Sequence, residues 1–174
     1  TDKLVELMDK VYDENVNAIY TNVSKQFKNT SVQVGLRVEQ TNSTGNLITN
    51  NEVVDRSYWD FFPTFYLQQT LSKNNQVGFS YSRRIDRPSY DALNPFVYYL
   101  DEFTYNKGNP FLNPQYTHNF EVSYTFMQKY MLSVNYSRVN DVITEVILPD
   151  ESKKALFQTN ANLAKNISYG ANLN

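Results

Sequence analysis

The chain has 174 residues, with 16 Lys plus Arg against 18 Asp plus Glu and a formal net charge of -2. That balance excludes a dedicated nucleic-acid binder, which needs a basic excess to replace the counterions on phosphate. With no cysteine and one histidine, His118, the chain offers no disulfide scaffold, Cys-ligated zinc, thiol catalysis or His cluster.

The mean hydropathy is -0.55, and no run of about 20 apolar residues could form a spanning helix. No basic start followed by an apolar run is present, so no signal peptide is expected. Aromatic residues are abundant, with 14 Tyr and 11 Phe. A polar average carrying that many tyrosines suits a structure with one greasy and one wet face, repeated many times.

Taken in chain order, residues 1–11 place Leu4, Val5, Leu7, Met8 and Val11 at helical spacing and predict a short amphipathic helix, with a further strand as the other reading. Residues 12–27 read as a strand with apolar residues in both registers: Val16, Ala18 and Tyr20 against Ile19, Val23 and Phe27. From Ser31, Val32, Val34, Leu36 and Val38 alternate with Gln33, Gly35, Arg37 and Glu39. Residues 57–71 set Phe61, Phe65, Leu67 and Leu71 against Asp60, Thr64, Tyr66, Gln68 and Thr70. Val77, Phe79 and Tyr81 continue the alternation, as do Phe120, Val122, Tyr124 and Phe126, and then Leu132, Val134 and Tyr136. In the last segment Ala161, Leu163, Ile167 and Tyr169 oppose Asn160, Asn162, Asn166 and Ser168. The pattern predicts an all-β, antiparallel up-and-down meander of about seven strands, each roughly 10–16 residues against about 5–6 for an ordinary globular strand.

The predicted connections alternate in length. Those near residues 28–30, 72–75 and 127–129 are short, while 42–55, 86–114 and 149–154 are longer and polar. A meander then gathers tight turns at one end and long loops at the other, as in the wall of a membrane β-barrel. Closure is required there, because open edges in hydrocarbon strand unsatisfied backbone groups. Seven strands with no evident closure predict a section of a barrel.

The runs Phe79-Ser-Tyr-Ser-Arg-Arg-Ile-Asp-Arg-Pro-Ser-Tyr90, Leu93-Asn-Pro-Phe96, Gly108-Asn-Pro-Phe-Leu-Asn-Pro114 and Asn119-Phe-Glu-Val-Ser-Tyr-Thr-Phe126 form a specific pattern. It resembles the barrel of TonB-dependent outer-membrane receptors of the Bacteroidota type, the outer membrane protein beta-barrel family. Gly35-Leu-Arg-Val-Glu39, Asp55-Arg-Ser-Tyr-Trp-Asp-Phe-Phe-Pro63 and Asn166-Ile-Ser-Tyr-Gly170 are similar to the same family, and Tyr12-Asp-Glu-Asn-Val-Asn-Ala18 more loosely so. The resemblance implies the outer membrane of a Gram-negative bacterium and import of a nutrient such as a glycan, siderophore or peptide, with no catalysis and no cofactor. It further implies a plug domain of the same parent chain, TonB acting indirectly, contact with outer-membrane lipid or lipopolysaccharide, and a surface lipoprotein as a further partner. The family barrel has about 22 strands. Residues 1–174 are therefore expected to be one segment of a barrel domain, without plug or remaining strands. Such a segment is not transport-competent alone and is prone to self-association.

Candidate ligand-binding residues lie in the longest connection. Arg84 and Arg87, with Arg83 and Asp86, suit an anionic ligand or lipopolysaccharide, or an Arg–Asp network that pins the loop base. Tyr90, Tyr98, Tyr99 and Tyr105 suit an aromatic platform, or a packed loop with an interfacial girdle. Trp59, Phe61 and Phe62 read as girdle anchors. The carboxylate pairs Asp13-Glu14, Asp101-Glu102 and Asp150-Glu151 lack a spaced oxygen-ligand loop and read as solvated charge, so no metal site is expected. The rival reading is a soluble all-β carbohydrate- or ligand-binding module with its apolar faces turned inward.

Overall fold

A computed structural model of the chain describes residues 12–47 and 52–174. The helix expected over residues 1–11 lies outside the described residues. The long strands are β1 (Tyr12–Gln26), β2 (Thr30–Leu47), β3 (Glu52–Ser72), β4 (Asn75–Asp86), β7 (Gln115–Phe126), β8 (Tyr130–Asp150) and β9 (Ala155–Leu173). Between β4 and β7 come a one-turn helix α1 (Tyr90–Leu93) and the short strands β5 (Val97–Tyr99) and β6 (Thr104–Lys107). All pair into one curled sheet in the order β1-β2-β3-β4-β7-β8-β9-β6-β5. The seven-strand meander is the expected one; β5 and β6 are additions to it.

Pairing converts the alternation of each strand into two continuous faces. Val23, Val34, Phe65, Tyr81, Phe120, Tyr136 and Tyr169 fall in one cross-strand row. On the opposite face the adjacent row reads Ser24, Gln33, Tyr66, Ser80, Glu121, Asn135 and Gly170. In the first row the ring centroids of Tyr81–Phe120, Phe120–Tyr136 and Tyr136–Tyr169 are 4.8, 6.0 and 5.5 Å apart, a continuous aromatic ladder. The register also resolves β1: Ile19 lies opposite Val38 and Val23 opposite Val34, which puts Val16, Ala18 and Tyr20 on the wet face.

The expected loop over 42–55 is strand along its described residues, whereas the expected connection at 149–154 is a turn at 151–154, shortened only at Pro149 and Asp150. Residues 42–47 pair with 52–57, and β8 continues to Asp150, opposite Ala155. Residues 42–46 carry only polar side chains or glycine, and their backbone amides pair just as well, so composition hid the continuation of β2. A crossing needs about 9–11 residues. β4 and β7 have 12 each, but β3 and β8 have 21 each. The wall therefore rises into two tall hairpins, β2–β3 and β8–β9, flanking a notch above β4 and β7.

The wall has no core of its own. Among the described residues the buried hydrophobics are Phe62, Leu93, Tyr105, Leu112 and Ala155, all near the notch, whereas Ile19 is 73% and Val23 66% exposed. An apolar face this continuous is stable only against lipid. Placing Val122→Arg on that face should therefore destabilise the assembled barrel by about 2–4 kcal/mol, and Ser133→Arg on the wet face by far less. Urea unfolding in lipid vesicles compares the two; equal effects would reject the assignment of faces.

Candidate functional site at the strand tips

Residues 87–114 leave β4, cross the notch and return to β7, touching both tall hairpins on the way. Their first anchor is Arg87. Its Nη2 donates to Glu39 Oε2 at 2.6 Å and to Thr41 Oγ1 at 3.0 Å, and its Nε lies 3.5 Å from Glu14 Oε1. Glu39 is 2% exposed and is also paired with Arg37 at 2.5 Å. Burial by itself would depress the Arg87 guanidinium, but the hydrogen bonds and charges of Glu39 and Tyr58 outweigh it and raise it above the usual arginine value.

Asp60, directly opposite Glu39, is also buried. Two facing carboxylates repel unless each is answered separately. The β3–β4 ladder stops at the pair Thr64 and Ser82, and Arg83 and Tyr116 reach into the split beyond it. Tyr116 donates to Asp60 at 3.1 Å, and Arg83 lies 3.7 Å from Asp60, donates to the Phe61 carbonyl at 2.6 Å and stands 4.4 Å over the Tyr116 ring. Glu14, Glu39 and Asp60 are thereby balanced by Arg37, Arg83 and Arg87.

The second anchor is Arg56 of β3, whose Nη1 and Nη2 donate to the carbonyls of Leu112 and Pro110 at 2.5 and 3.0 Å, over a fully buried Leu112. From the other side, Asn109 Nδ2 donates to the Asn160 carbonyl at 3.0 Å. Asn162 Oδ1 accepts from the Asn113 amide at 2.8 Å, and its Nδ2 donates to the Asn113 carbonyl at 2.9 Å. The two Asn-Pro steps are thus where the crossing segment clips to β9. Gly108 is forced by crowding: a Cβ there would lie 2.8 Å from the Asn94 nitrogen and 2.9 Å from the Ala92 carbonyl oxygen.

The β5–β6 hairpin extends the sheet, with β6 parallel to the start of β9. Tyr105 is its anchor, 4% exposed, stacked on Phe157 at 5.6 Å and donating to Asp150 Oδ2 at 2.6 Å. The bond to Asp150 and burial push the Tyr105 phenol up to about 12. Hydrogen bonds from Ser152 and Tyr105 hold Asp150 down at about 2. Asp150, expected as solvated charge, is therefore a fixed acceptor, and Glu14 likewise sits against Arg87.

Between α1, the hairpin and the β8–β9 tip lies an open cleft of about 420 Å³. Asp91, Asn94, Phe96, Tyr98, Asn106 and Lys107 line one side, and Glu145, Gln158, Thr159 and Asn160 the other. Asn106 Oδ1 is buried beside it without a hydrogen-bond partner, an acceptor awaiting a donor.

The residues singled out from sequence therefore separate. Arg87 and Tyr105 are tied into the fold, and Tyr99 leans on the Tyr105 ring at 5.6 Å. Arg84 is exposed on the wet face, opposite Thr117. Tyr90 opens α1, and Tyr98, 69% exposed, lines the cleft. Trp59 and Phe61 face outward as expected, but Phe62 points to the wet side and is buried, with the Arg83 guanidinium 5.7 Å from its ring. Sequence reading passed over Glu39, Arg56, Asn109 and Asn162. The repeated Asn-Pro steps were the available signal for the clips. Nothing local marks Glu39 or Arg56, which look like ordinary wet-face residues.

The sheet matches solved outer-membrane receptors in fold. It superposes on the hemophore receptor HasR of Serratia marcescens with a TM-score of 0.74 at 15% identity, covering 92% of this chain and 31% of that one. For the siderophore receptor PirA of Pseudomonas aeruginosa the values are 0.57, 12%, 93% and 39%. For the copper transporter OprC they are 0.63, 10%, 94% and 26%. The chain thus spans between about a quarter and two fifths of these structures. No curated protein matches it by sequence. Residues 8–174 match the outer membrane protein beta-barrel family. The chain belongs to that family, and its place is the outer membrane of a Gram-negative bacterium.

Two measurements check the anchors. Arg87→Met should cost about 2 kcal/mol, and a double-mutant cycle with Glu39→Gln should show that most of it is coupling between the two. Tyr105→Phe should remove a tyrosinate absorbance step near 12, not near the usual 10.0. The Tyr105 proton's stabilisation is complete below 10.0 and lost as pH rises to about 12; that of Asp150 is present above 3.8 and lost as pH falls through about 2. Hydrogen exchange in the hairpin should rise at both limits.

Proposed function

We propose that this chain forms part of the wall and the outer ligand gate of a TonB-dependent receptor that imports a nutrient. A plug domain and the remaining strands would belong to the same parent chain, and inner-membrane energy would reach the gate through TonB and the plug. The solved neighbours are named for heme with its hemophore, a siderophore and copper, which supports uptake of a scarce nutrient without choosing one. A glycan or peptide remains within the same reading.

The observation that carries this is the crossing segment. A wall that only closed a pore would need tight turns at both ends. Here residues 87–114 are clipped to both tall hairpins and, with the β8–β9 tip, enclose a cleft bearing an unanswered acceptor, Asn106 Oδ1. Amides, hydroxyls and two aromatic rings suit a ligand with polar donors and an apolar face. The role of this chain is binding and gating, and no catalysis is part of it. The soluble-module reading fails to account for the exposed apolar ladder.

Growth of the host on a single oligosaccharide, ferric siderophore or peptide source, with and without the parent gene, assigns the nutrient class. Tyr98→Ala and Asn106→Ala in the parent should then each weaken uptake roughly fivefold or more, the loss of a ring contact or hydrogen bond of about 1 kcal/mol. Unchanged uptake in both variants would remove the cleft from the ligand path. Growth unaffected by gene deletion on every source would reject import itself.

A further inference from the structure

We propose that the cleft beside α1 receives a protonated amine, the lysine side chain of an extended peptide paired along β5. This rests on the reading of the cleft as a ligand site and names what enters it. Tyr98 of β5 lies opposite Asn106 of β6, and Asn106 opposite Gln158 of β9. Two residues further on, Asn160 lies opposite Glu145 of β8. Directly paired residues share a face, as do alternate residues of one strand. Tyr98, Asn106 and Glu145 thus line one face, and Asp91 and Phe96 border the cleft from the crossing segment. Tyr99 and Tyr105 alternate to the other face. There the Lys153 Nζ stands 4.7 Å from the Tyr105 ring centroid and 6.0 Å from that of Tyr99, next to Asp150, which accepts from the Lys153 amide at 3.3 Å. One face of the hairpin therefore already holds an ammonium between tyrosine rings and a carboxylate.

The cleft face repeats those components without the cation. Among the described residues neither Asp91 nor Glu145 has an ion-pair partner, and no cation stands over the rings of Phe96 or Tyr98. Lys107 is the one cation at the cleft, and it directly follows Asn106, so its side chain leaves on the opposite face. Two carboxylates from opposite sides, two rings and the unanswered Asn106 Oδ1 are the chemistry that holds an ammonium, which donates up to three hydrogen bonds and is drawn to aromatic faces. A sugar hydroxyl would answer Asn106 and leave both carboxylates without a counter-charge. The neighbouring strand edge selects the source of the amine. β5 ends the sheet, so one row of its backbone N–H and C=O groups has no strand beside it. An extended peptide adding there sends alternate side chains to the face of Tyr98, and a lysine among them enters the cleft.

The test uses the intact parent receptor in detergent and fluorescence anisotropy of a dye-labelled pentapeptide with one central lysine, or of the same peptide with that lysine Nε-acetylated. The lysyl peptide should bind, acetylation should weaken it roughly tenfold or more, and added salt should weaken it too. Asp91→Asn and Glu145→Gln should each weaken it about threefold, the worth of one exposed charge pair. Glu102→Gln, which removes a carboxylate outside the cleft, should leave binding unchanged. Asp91 and Glu145 are exposed, so both variants should fold, and heat-dependent gel mobility verifies the barrel. No binding of the lysyl peptide, equal binding of the acetylated one, or unchanged binding in both carboxylate variants would each overturn the proposal. Displacement by an oligomer of glucosamine at equal concentration would overturn the choice of a peptide. If Tyr98→Ala weakens both peptides alike while acetylation has no effect, the cleft stands as a ligand site and the preference for an amine falls. Growth after deletion of the parent gene is a separate readout, so import can fail without affecting this result.

Discussion

In hydrocarbon a backbone N–H or C=O left without a partner costs several kcal/mol, and the molecule is arranged around that constraint. Every crossing residue must hydrogen-bond to a neighbouring strand, so the chain can only zigzag. Once it does, side chains alternate, and the sheet acquires a lipid face and a water face. The row from Val23 to Tyr169 and the neighbouring row from Ser24 to Gly170 are the two results of one rule. Stability in the wall comes from the ladder and the lipid, and among the described residues the buried hydrophobics lie near the notch.

Beyond the bilayer the constraint relaxes and the design changes. Polar hairpins continue the ladder in water, and the connection over β4 and β7 is held by charge. A buried carboxylate is tolerated only when answered, and here Glu39 and Asp60 face one another at the base of the notch. Arg87 enters from the crossing segment, Arg37 from β2, and Arg83 with Tyr116 from β4 and β7. The Arg-Arg-Ile-Asp-Arg run thus distributes its members among different tasks. Arg83 closes the strand split, Arg84 stays in the lumen, Asp86 accepts from Gln115, and Arg87 anchors the crossing segment.

The wall was legible in the residues because period-2 alternation is a local property. Val32 to Val38 needs no partner to declare its two faces. β1 was not legible in the same way, since both of its registers carry apolar residues, and only the pairing of Ile19 with Val38 selects one. The tall β2–β3 hairpin was missed because residues 42–46 carry no apolar side chain, although 42–47 pair along their backbone with 52–57. Among the proposed ligand residues, Tyr98 reaches the cleft, whereas Tyr105 is consumed by its stack on Phe157 and its bond to Asp150. Nothing in the spacing of those tyrosines separates the two.

What the sequence determined by itself is the all-β wall, its two faces, its tight turns at one end and its family, because each rests on near-neighbour chemistry or on a contiguous motif. The tertiary structure alone decided how residues 87–114 cross the notch, which guanidinium answers which carboxylate, and which side chains remain exposed at the cleft. Those outcomes join residues more than forty positions apart, such as Glu39 with Arg87 and Asn113 with Asn162. They depend on strand register, and register is set only when the strands meet.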